Sequence, residues 1–211
     1  MEKTWAKWYD EVLSDVAGCG QPLAKNAIRN AAIEFCDRTW VYRVEMAPLA
    51  AEANVPDYTL EPPSNTAVVK VHRLWYDKRK VDPKTPEELA TLFAHWPSAV
   101  GTPLYFTHRS PDVLLLVPMP EASLQDAITG EIAVKPTRAS TGIADFIHEK
   151  YLEDIAYGAK ARLFAMSRKP WSDKQLSAYH QGMFDECVGK AKVQATKGHT
   201  RGRLRTTAHF Y

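Results

Sequence analysis

Apolar residues recur with a helical period at both ends of the chain and with a strand-like period in the middle. Near the N-terminus they follow one helix face, at Trp5, Trp8, Tyr9, Val12, Leu13 and Val16. Gly18 and Gly20 predict the end of this first helix, because glycine accepts the left-handed backbone that follows a helix C-terminus. Pro22 predicts the first turn of a second helix over residues 21–39.

The middle of the chain is rich in proline and carries short β-prone runs separated by turn residues. The predicted strands cover residues 41–46, 58–60, 67–77, 103–107, 113–117 and 128–135. Within this region Thr85-Pro86-Glu87-Glu88 has the spacing of a capping box, with proline at the first helical position. This motif predicts a short helix that ends near His95.

Helical periodicity returns near Phe146. One predicted helix face contains Leu152, Ile155, Ala156, Ala159, Leu163 and Met166. This helix is expected to end before Pro170, and Ser172 is the predicted N-cap of a long final helix. The predicted core-facing line of the final helix is Leu176, Tyr179, Met183, Cys187 and Ala191.

Together these patterns predict an α+β fold. We expect a helical bundle of about four long helices, a small antiparallel β-rich insertion and an extended C-terminal arm. The bundle is predicted over residues 1–40 and 143–197, and the insertion, with one short helix, over residues 41–142. The arm is predicted over residues 198–211.

Charge is distributed unevenly along the 211 residues. The formal net charge is +2, but residues 190–211 hold six basic residues and no acidic one, so the first 189 residues carry −4. A basic tail on an acidic body is typical of an interaction tail. The candidate docking residues in this arm are Arg201, Arg203, Arg205, His209, Phe210 and Tyr211. The composition of the tail also fits an alternative, in which the terminus is solvated and docks on nothing.

Composition narrows the class of protein. The chain is 45% hydrophobic, and no apolar run approaches the length of a membrane helix. The N-terminus lacks the apolar block of a secretory signal. Three widely spaced cysteines, at positions 19, 36 and 187, fit neither a disulfide framework nor a zinc site. We therefore expect a soluble protein of a reducing cytoplasm, with no membrane partner.

Residue patterns that would support catalysis are absent from the sequence. The seven histidines are scattered, and His148-Glu149 has no second histidine at zinc-protease spacing. Gly18-Cys19-Gly20 lacks the remaining positions of a phosphate-binding loop. Cys19, in a turn beside a helix start where a thiol pKa could be lowered, is a minor nucleophile candidate. We therefore predict that the protein has no catalytic residues, no cofactor and no metal. A hydrolase of unrecognised type is a minor alternative.

An ordered set of short strings along the chain resembles a known family. These strings are Gln21-Pro22-Leu23, Ala32-Ile33-Glu34-Phe35-Cys36, Tyr58-Thr59-Leu60-Glu61-Pro62-Pro63, the strand of residues 71–77, Pro83-Lys84-Thr85-Pro86-Glu87-Glu88-Leu89, Gly101-Thr102-Pro103, Val117-Pro118-Met119-Pro120, Ala159-Lys160-Ala161-Arg162-Leu163 and Lys169-Pro170-Trp171. In their order and in the helix–helix, strand-rich, helix–helix arrangement, the chain resembles the head-to-tail adaptor proteins of tailed bacteriophages, the connector or tail-tubular class.

The resemblance implies a structural virion protein. Such adaptors form a ring, commonly twelve-fold, beneath the portal at the phage neck, and genomic DNA passes through the lumen without sequence-specific contacts. The implied partners are other copies of the chain, the portal protein and a downstream tail tube, nozzle or stopper protein. The implied location is the head–tail neck of the virion, with assembly in the host cytoplasm. The C-terminal arm is expected to dock on the portal.

Two other functions fit the residues. A DNA-binding packaging or regulatory protein would use the basic tail, and its binding would weaken steeply with salt. A neck stopper or tail-completion protein is the nearer alternative.

Overall fold

The computed structural model describes residues 2–92 and 95–197. The described residues divide into two compact units. The helical unit takes in the described residues of Met1–Val41 and Pro136–Tyr211, and the strand unit is Tyr42–Lys135. None of the described helices is long and apolar enough to cross a membrane.

Three long helices form the core of the helical unit. Its elements are strand β1 (Glu2–Thr4), a 3-10 helix (Trp5–Trp8), α1 (Tyr9–Leu13), α2 (Gln21–Thr39), β10 (Gly142–Ala144), α4 (Asp145–Phe164) and α5 (Lys174–Lys197). The long helices α2, α4 and α5 pack against one another, and their contact faces bury Ile28, Phe35, Ile155 and Phe184. Strands β1 and β10 form a separate antiparallel pair.

The N-terminal segment does not form the long first helix that its periodicity predicts. It forms a four-residue 3-10 turn and the five-residue α1 instead. The prediction of which residues face the core is correct at four positions, since Trp5, Trp8, Val12 and Val16 are all fully buried. Residues spaced three apart share a face in a 3-10 turn as well as in an α-helix, so the Trp5–Trp8 spacing did not distinguish the two. The helix ends at Leu13, before the predicted stop, although Gly18 does adopt a left-handed backbone with a φ of +82°.

The strand unit is an eight-stranded sheet with one short helix. Its elements are β2 (Arg43–Glu45), β3 (Leu49–Ala51), β4 (Asp57–Thr59), β5 (Thr66–Tyr76), β6 (Arg79–Pro83), α3 (Pro86–Leu92), a 3-10 helix (Trp96–Ser98), β7 (Tyr105–Ser110), β8 (Val113–Val117) and β9 (Leu124–Pro136). The strand order is β2-β9-β5-β6-β7-β8-β4, and β3 also pairs with β9. The buried centre includes Leu74, Leu114, Leu116, Ile128 and Ile132.

Short strand β6 joins the two halves of this sheet. It pairs antiparallel with β5 through a two-residue turn at Asp77 and Lys78, both with positive φ. On its other edge it pairs with β7 in parallel, through Asp82 and Pro83. The sheet is therefore mixed rather than antiparallel throughout.

The predicted fold class is wrong in its proportions. The described residues contain three long helices rather than about four, and the β-rich part is a large curled sheet of eight strands rather than a small insertion. The long strands β5 and β9, of 11 and 13 residues, form the centre of this sheet. The prediction missed β3 entirely, because a three-residue strand has too short a pattern to be recognised without its partner.

Candidate functional site

The last helix, α5, carries two apolar lines, and one of them is exposed. The buried line is His180, Phe184, Val188 and Ala191. On the exposed side, Leu176, Tyr179 and Val193 have relative exposures of 42%, 58% and 50%. The predicted core-facing line is therefore wrong at Leu176 and Tyr179. A signal for the correct line was present in the sequence, since residues 180, 184, 188 and 191 also recur at helical spacing.

A close contact at Gly158 determines which side of α5 is buried. A Cβ atom added to Gly158 of α4 would lie 2.8 Å from two ring carbons of Phe184 and 3.1 Å from the Cβ of Ala31 on α2. Glycine is thus what lets the three long helices approach around the Phe184 ring. Two guanidinium groups cover the same ring, those of Arg38 and Arg162, at 5.9 Å and 5.8 Å from its centroid.

An ion pair between Arg38 and Asp185 helps to hold α5 in this rotation. Arg38 of α2 donates hydrogen bonds to Asp185 at 2.6 Å and to Glu34 at 2.9 Å, and Arg162 of α4 also donates to Glu34. Hydrogen bonds from the side chains of Gln181 and Arg38 lower the pKa of Asp185 below its ordinary value. The Arg38–Asp185 pair ties α5 to α2, and the Arg162 guanidinium of α4 covers the Phe184 ring of α5, so the face that carries Tyr179 points away from the rest of the unit.

Two glycines lie on the exposed side of α5. A Cβ added at Gly182 or Gly189 would meet nothing within 4 Å. Glycine inside a helix costs roughly 1 kcal/mol relative to alanine. No contact within the described residues requires glycine at these two positions. Together with exposed Ala178, these glycines form a row of residues with little or no side chain, along which a second helix could approach closely.

Tyr179 is held in place although it is exposed. Its ring lies edge-on to the His180 imidazole, with centroids 5.2 Å apart. His180 is in turn stacked on Phe164 at 5.5 Å and lies 5.8 Å from Tyr157. Burial, and the positive charge of Lys160, lower the pKa of His180, which favours the neutral imidazole. A pre-ordered aromatic ring is the kind of side chain that anchors protein interfaces.

A buried ammonium group ties the N-terminal segment to α4. The side chain of Lys160 is 7% exposed, and its Nζ lies 2.7 Å from a carboxylate oxygen of Asp15 and 3.2 Å from one of Glu11. Burial opposes protonation of Lys160, but the two hydrogen bonds outweigh it and raise its pKa. The arrangement is a structural ion pair that fixes α1 and the turn after it.

One cluster in the described residues has metal-ligand chemistry. The candidate ligand atoms of Asp145, His148 and Glu149 lie within 4.8 Å of one another. The Nζ of Lys3 lies 3.3 Å from Asp145 and 4.0 Å from Glu149, so an ammonium group already supplies positive charge there. The His148 ring also packs edge-on against Trp8, at 4.6 Å between centroids. We interpret the cluster as a tie between β1 and the start of α4.

The cysteine thiols are not activated. Burial raises the pKa of Cys19, and a backbone hydrogen bond at Ala24 opposes this only in part. The idea that its turn beside a helix start lowers the pKa is therefore wrong. Burial also raises the pKa of Cys36, and it raises that of Cys187 to about 12 with help from the Asp154 carboxylate. A nucleophile needs the opposite shift.

The predicted docking residues of the arm, Arg201, Arg203, Arg205, His209, Phe210 and Tyr211, lie outside the described residues. Their role stays a prediction.

Comparison with known proteins supplies the family. A family model described as SU10 adaptor protein matches residues 6–207. The chain belongs to the SU10 adaptor protein family. This is a family of phage head-to-tail adaptors, so the resemblance seen in the sequence is confirmed at that level, whereas the narrower connector or tail-tubular class stays a proposal. No curated protein matches the chain.

Membership of the SU10 adaptor family has direct consequences. It supports a virion location and, in general, interaction with portal and tail proteins. A family of structural adaptors also favours a role without catalysis. The predicted absence of cofactor and metal stays a prediction.

Proposed function

We propose that the chain is the subunit of a ring beneath the portal of a tailed phage. The ring, twelve-fold in this proposal, acts as the connector that passes DNA and carries the next tail component. The observation that carries the proposal is the outer face of α5, with its exposed Tyr179 and its row of small residues at Gly182 and Gly189.

This face suits contact between copies better than contact with DNA. Between Leu176 and Val193 this side carries Glu186 and Lys190, which pair with each other at 2.6 Å. DNA binding would need several basic side chains facing the phosphates. A closed ring instead needs each subunit to present one surface to a different surface of the next copy. A helix face with small residues and a self-compensating charge pair is suitable for the first of these surfaces.

The net charge of the chain also supports a role as a conduit for DNA. The first 189 residues carry a net charge of −4. A basic lumen would hold the duplex through its phosphates, and releasing their counterions would favour binding. A net acidic body is therefore compatible with DNA that slides through the ring rather than staying bound.

Substitutions on α5 test the ring. Gly182→Leu and Gly189→Leu both improve helix propensity, so we expect a monomer at least as stable as the wild type. Both should block close approach of a second copy, and the oligomer seen by native mass spectrometry and negative-stain microscopy should be lost. Asn30→Leu, at an exposed position on α2, is the matched control and should assemble normally. Wild-type rings from both glycine variants would refute the proposed contact.

The portal-docking role of the arm needs a separate test. Deleting residues 201–211 removes three arginines and two aromatic rings from the chain and leaves all described elements in place. The truncated protein should therefore fold. Its binding to portal-bearing heads should fall at least about tenfold, because the arms act together around a ring. If it still saturates portals at the wild-type concentration, the arm is a solvated tail.

DNA binding through the basic tail is the competing proposal, favoured by the six basic residues after position 189. It predicts that the full chain binds duplex DNA with an affinity that falls steeply with salt, and that the truncated chain does not. Salt-independent assembly with portal favours the adaptor. A stopper role would be shown by a second protein lying between this ring and the portal.

A further inference from the structure

The sheet of the strand unit is split at one end. Strand β6 pairs with Leu74–Tyr76 at one end of β5 and with Tyr105 and Phe106 at the start of β7. After Pro83 the chain leaves the sheet and enters α3. Over the described residues, no strand lies between residues 66–73 of β5 and residues 107–110 of β7.

A cleft occupies this gap. One part, of about 340 Å³, is lined by Val69, Lys70, His108, Arg109, Ser110 and Pro111, so its walls come from β5 and β7. The adjoining part, of about 320 Å³, lies between β7 and the start of α3 and also includes His108. One missing strand leaves a gap of about 10 Å, twice the ordinary strand spacing. The cleft is thus in the position of an absent strand.

Backbone groups on both walls are directed into the cleft. Tyr76 and Arg79 flank the two-residue turn, so Tyr76 directs its backbone groups towards β6. Alternation along β5 gives His72 and Lys70 the same direction. On β7 the carbonyl of Phe106 accepts a hydrogen bond from Lys84 N–H, so His108, two residues on, faces the same edge. An extended chain in the cleft could bond to both walls.

The cleft is basic although the unit is acidic. Residues 42–135 contain nine basic and twelve acidic residues, a net charge of −3. The charged residues that line the cleft are Lys70, Lys84, Arg109 and Glu88. Arg109 pairs with Asp57 at 2.8 Å and Lys84 with Glu88 at 3.3 Å. Exposed pairs of this kind are weak, so an incoming carboxylate can exchange with them.

His108 adds a polar group to the same position. Its Nδ1 is buried and has no hydrogen-bond partner within the described residues. Burial lowers the pKa of His108; a backbone hydrogen bond at Ser110 acts in the opposite direction, and the charge of Lys70 acts in the same direction as burial. A bound carboxylate would oppose both effects.

We infer that this cleft binds an extended acidic segment of a partner protein, which adds as a strand between β5 and β7. Main-chain hydrogen bonds would provide the affinity, and acidic side chains facing Lys70 and Arg109 would provide the selectivity. The basic tail of this chain does not fit, because residues 190–211 contain no acidic residue. The inference depends on the strand unit alone and does not depend on ring formation.

The test uses the full chain and four probes. The first is a ten-residue peptide of alternating valine and glutamate. The second replaces glutamate with lysine, and the third is the first peptide with every second amide N-methylated, which removes main-chain donors. The fourth is a DNA duplex of about 20 base pairs, whose phosphates are the competing acidic ligand. Amide hydrogen exchange and NMR shifts at Lys70, His72 and His108 report binding.

The valine–glutamate peptide should slow exchange at these three amides by about tenfold or more at saturation, and the other three probes should not. Lys70→Glu should weaken peptide binding about tenfold. Lys78→Glu, at the exposed tip of the same hairpin, is the matched control and should change it less than about twofold. Equal binding of the N-methylated peptide, protection by DNA, or no protection by the glutamate peptide would each overturn the inference.

Discussion

The helical unit and the strand unit place their charges differently, although both contain a tightly packed glycine, Gly158 in the helical unit and Gly130 in the strand unit. In the helical unit Gly158 allows three helices to meet around Phe184, and an ammonium group is buried between two carboxylates. In the strand unit the sheet separates beside β6, and ion pairs such as Lys80–Asp82 lie on the surface. Removing the partners of a buried ammonium group is costly, whereas an exposed ion pair contributes little to stability. Substitutions of charged residues should therefore affect the two units very differently.

The largest expected effect is at Gly158. Gly158→Val places side-chain atoms where the Phe184 ring and the Cβ of Ala31 already lie, so we expect a loss of about 3 kcal/mol in the free energy of unfolding. Urea titration followed by circular dichroism measures this loss.

Gly182→Val is the matched control on α5, since a Cβ there meets open space. It should change the stability of the monomer by less than about 0.5 kcal/mol. The double variant Gly158→Val/Phe184→Ala should lose less stability than the sum of the two single losses, and a double-mutant cycle measures this difference. Equal effects of the two valine substitutions would contradict the packing difference between the two sites.

The second effect concerns the buried ion pair. Replacing Glu11 by Gln and Asp15 by Asn together leaves the Lys160 ammonium buried without its carboxylates, and we expect a loss of about 2 kcal/mol in the free energy of unfolding. In the strand unit, Asp82→Asn removes a pair that joins Lys80 and Asp82 at 2.6 Å on the surface. That loss should stay below about 0.5 kcal/mol, and thermal unfolding of both variants compares the units directly.

The third expected effect is a loss of folding stability as the pH falls below neutral. Burial lowers the pKa values of His180 in the helical unit and of His72 and His108 in the strand unit. The unfolded chain then takes up protons first, near the ordinary histidine pKa of about 6.5. The stability contributed by the neutral imidazoles is thus present above pH 6.5 and is lost as the pH falls through the folded-state pKa values.

Unfolding in urea between pH 8 and pH 5, with hydrogen exchange resolving the units, measures this effect. Charged groups near these imidazoles include Lys160 and Asp15 for His180, and Arg43 and Glu131 for His72. His180→Phe should flatten the dependence in the helical unit, and His108→Gln should do so in the strand unit. An unchanged slope in both variants would assign the acid sensitivity to other groups.

The smallest effect is local. The hydroxyl of Thr85 accepts a hydrogen bond from Glu88 N–H at 3.2 Å, and the Glu88 carboxylate accepts one from Thr85 N–H at 3.0 Å. Thr85→Ala should destabilise α3 by about 1 kcal/mol and leave the helical unit unchanged. Thr91→Ala, further along the same helix, should cost less; amide exchange in α3 distinguishes the two.

Local elements were predicted well where short-range signals decide them. The second helix was predicted over residues 21–39 and is observed as Gln21–Thr39, and the strand Val113–Val117 was predicted correctly. The capping box is confirmed by both of its hydrogen bonds. The N-cap of α5 was predicted one residue too early, because Asp173 accepts the N–H groups of Gln175 and Leu176. Neighbouring serine and aspartate are both good caps, so the pattern alone could not separate them.

Sequence by itself indicated the adaptor family, through the order of short strings along the whole chain. It also determined the two long strands and the position of each long helix, because each of these depends on residues close together in the chain. Tertiary structure decided which face of α5 is buried, since that depends on Phe184 meeting Gly158 and Ala31 on two other helices. It also decided that the sheet splits beside β6, because the length of β6 sets where β5 and β7 separate. Contacts between distant residues leave no periodic trace in the sequence, so the exposed helix face and the cleft became visible only in the folded chain.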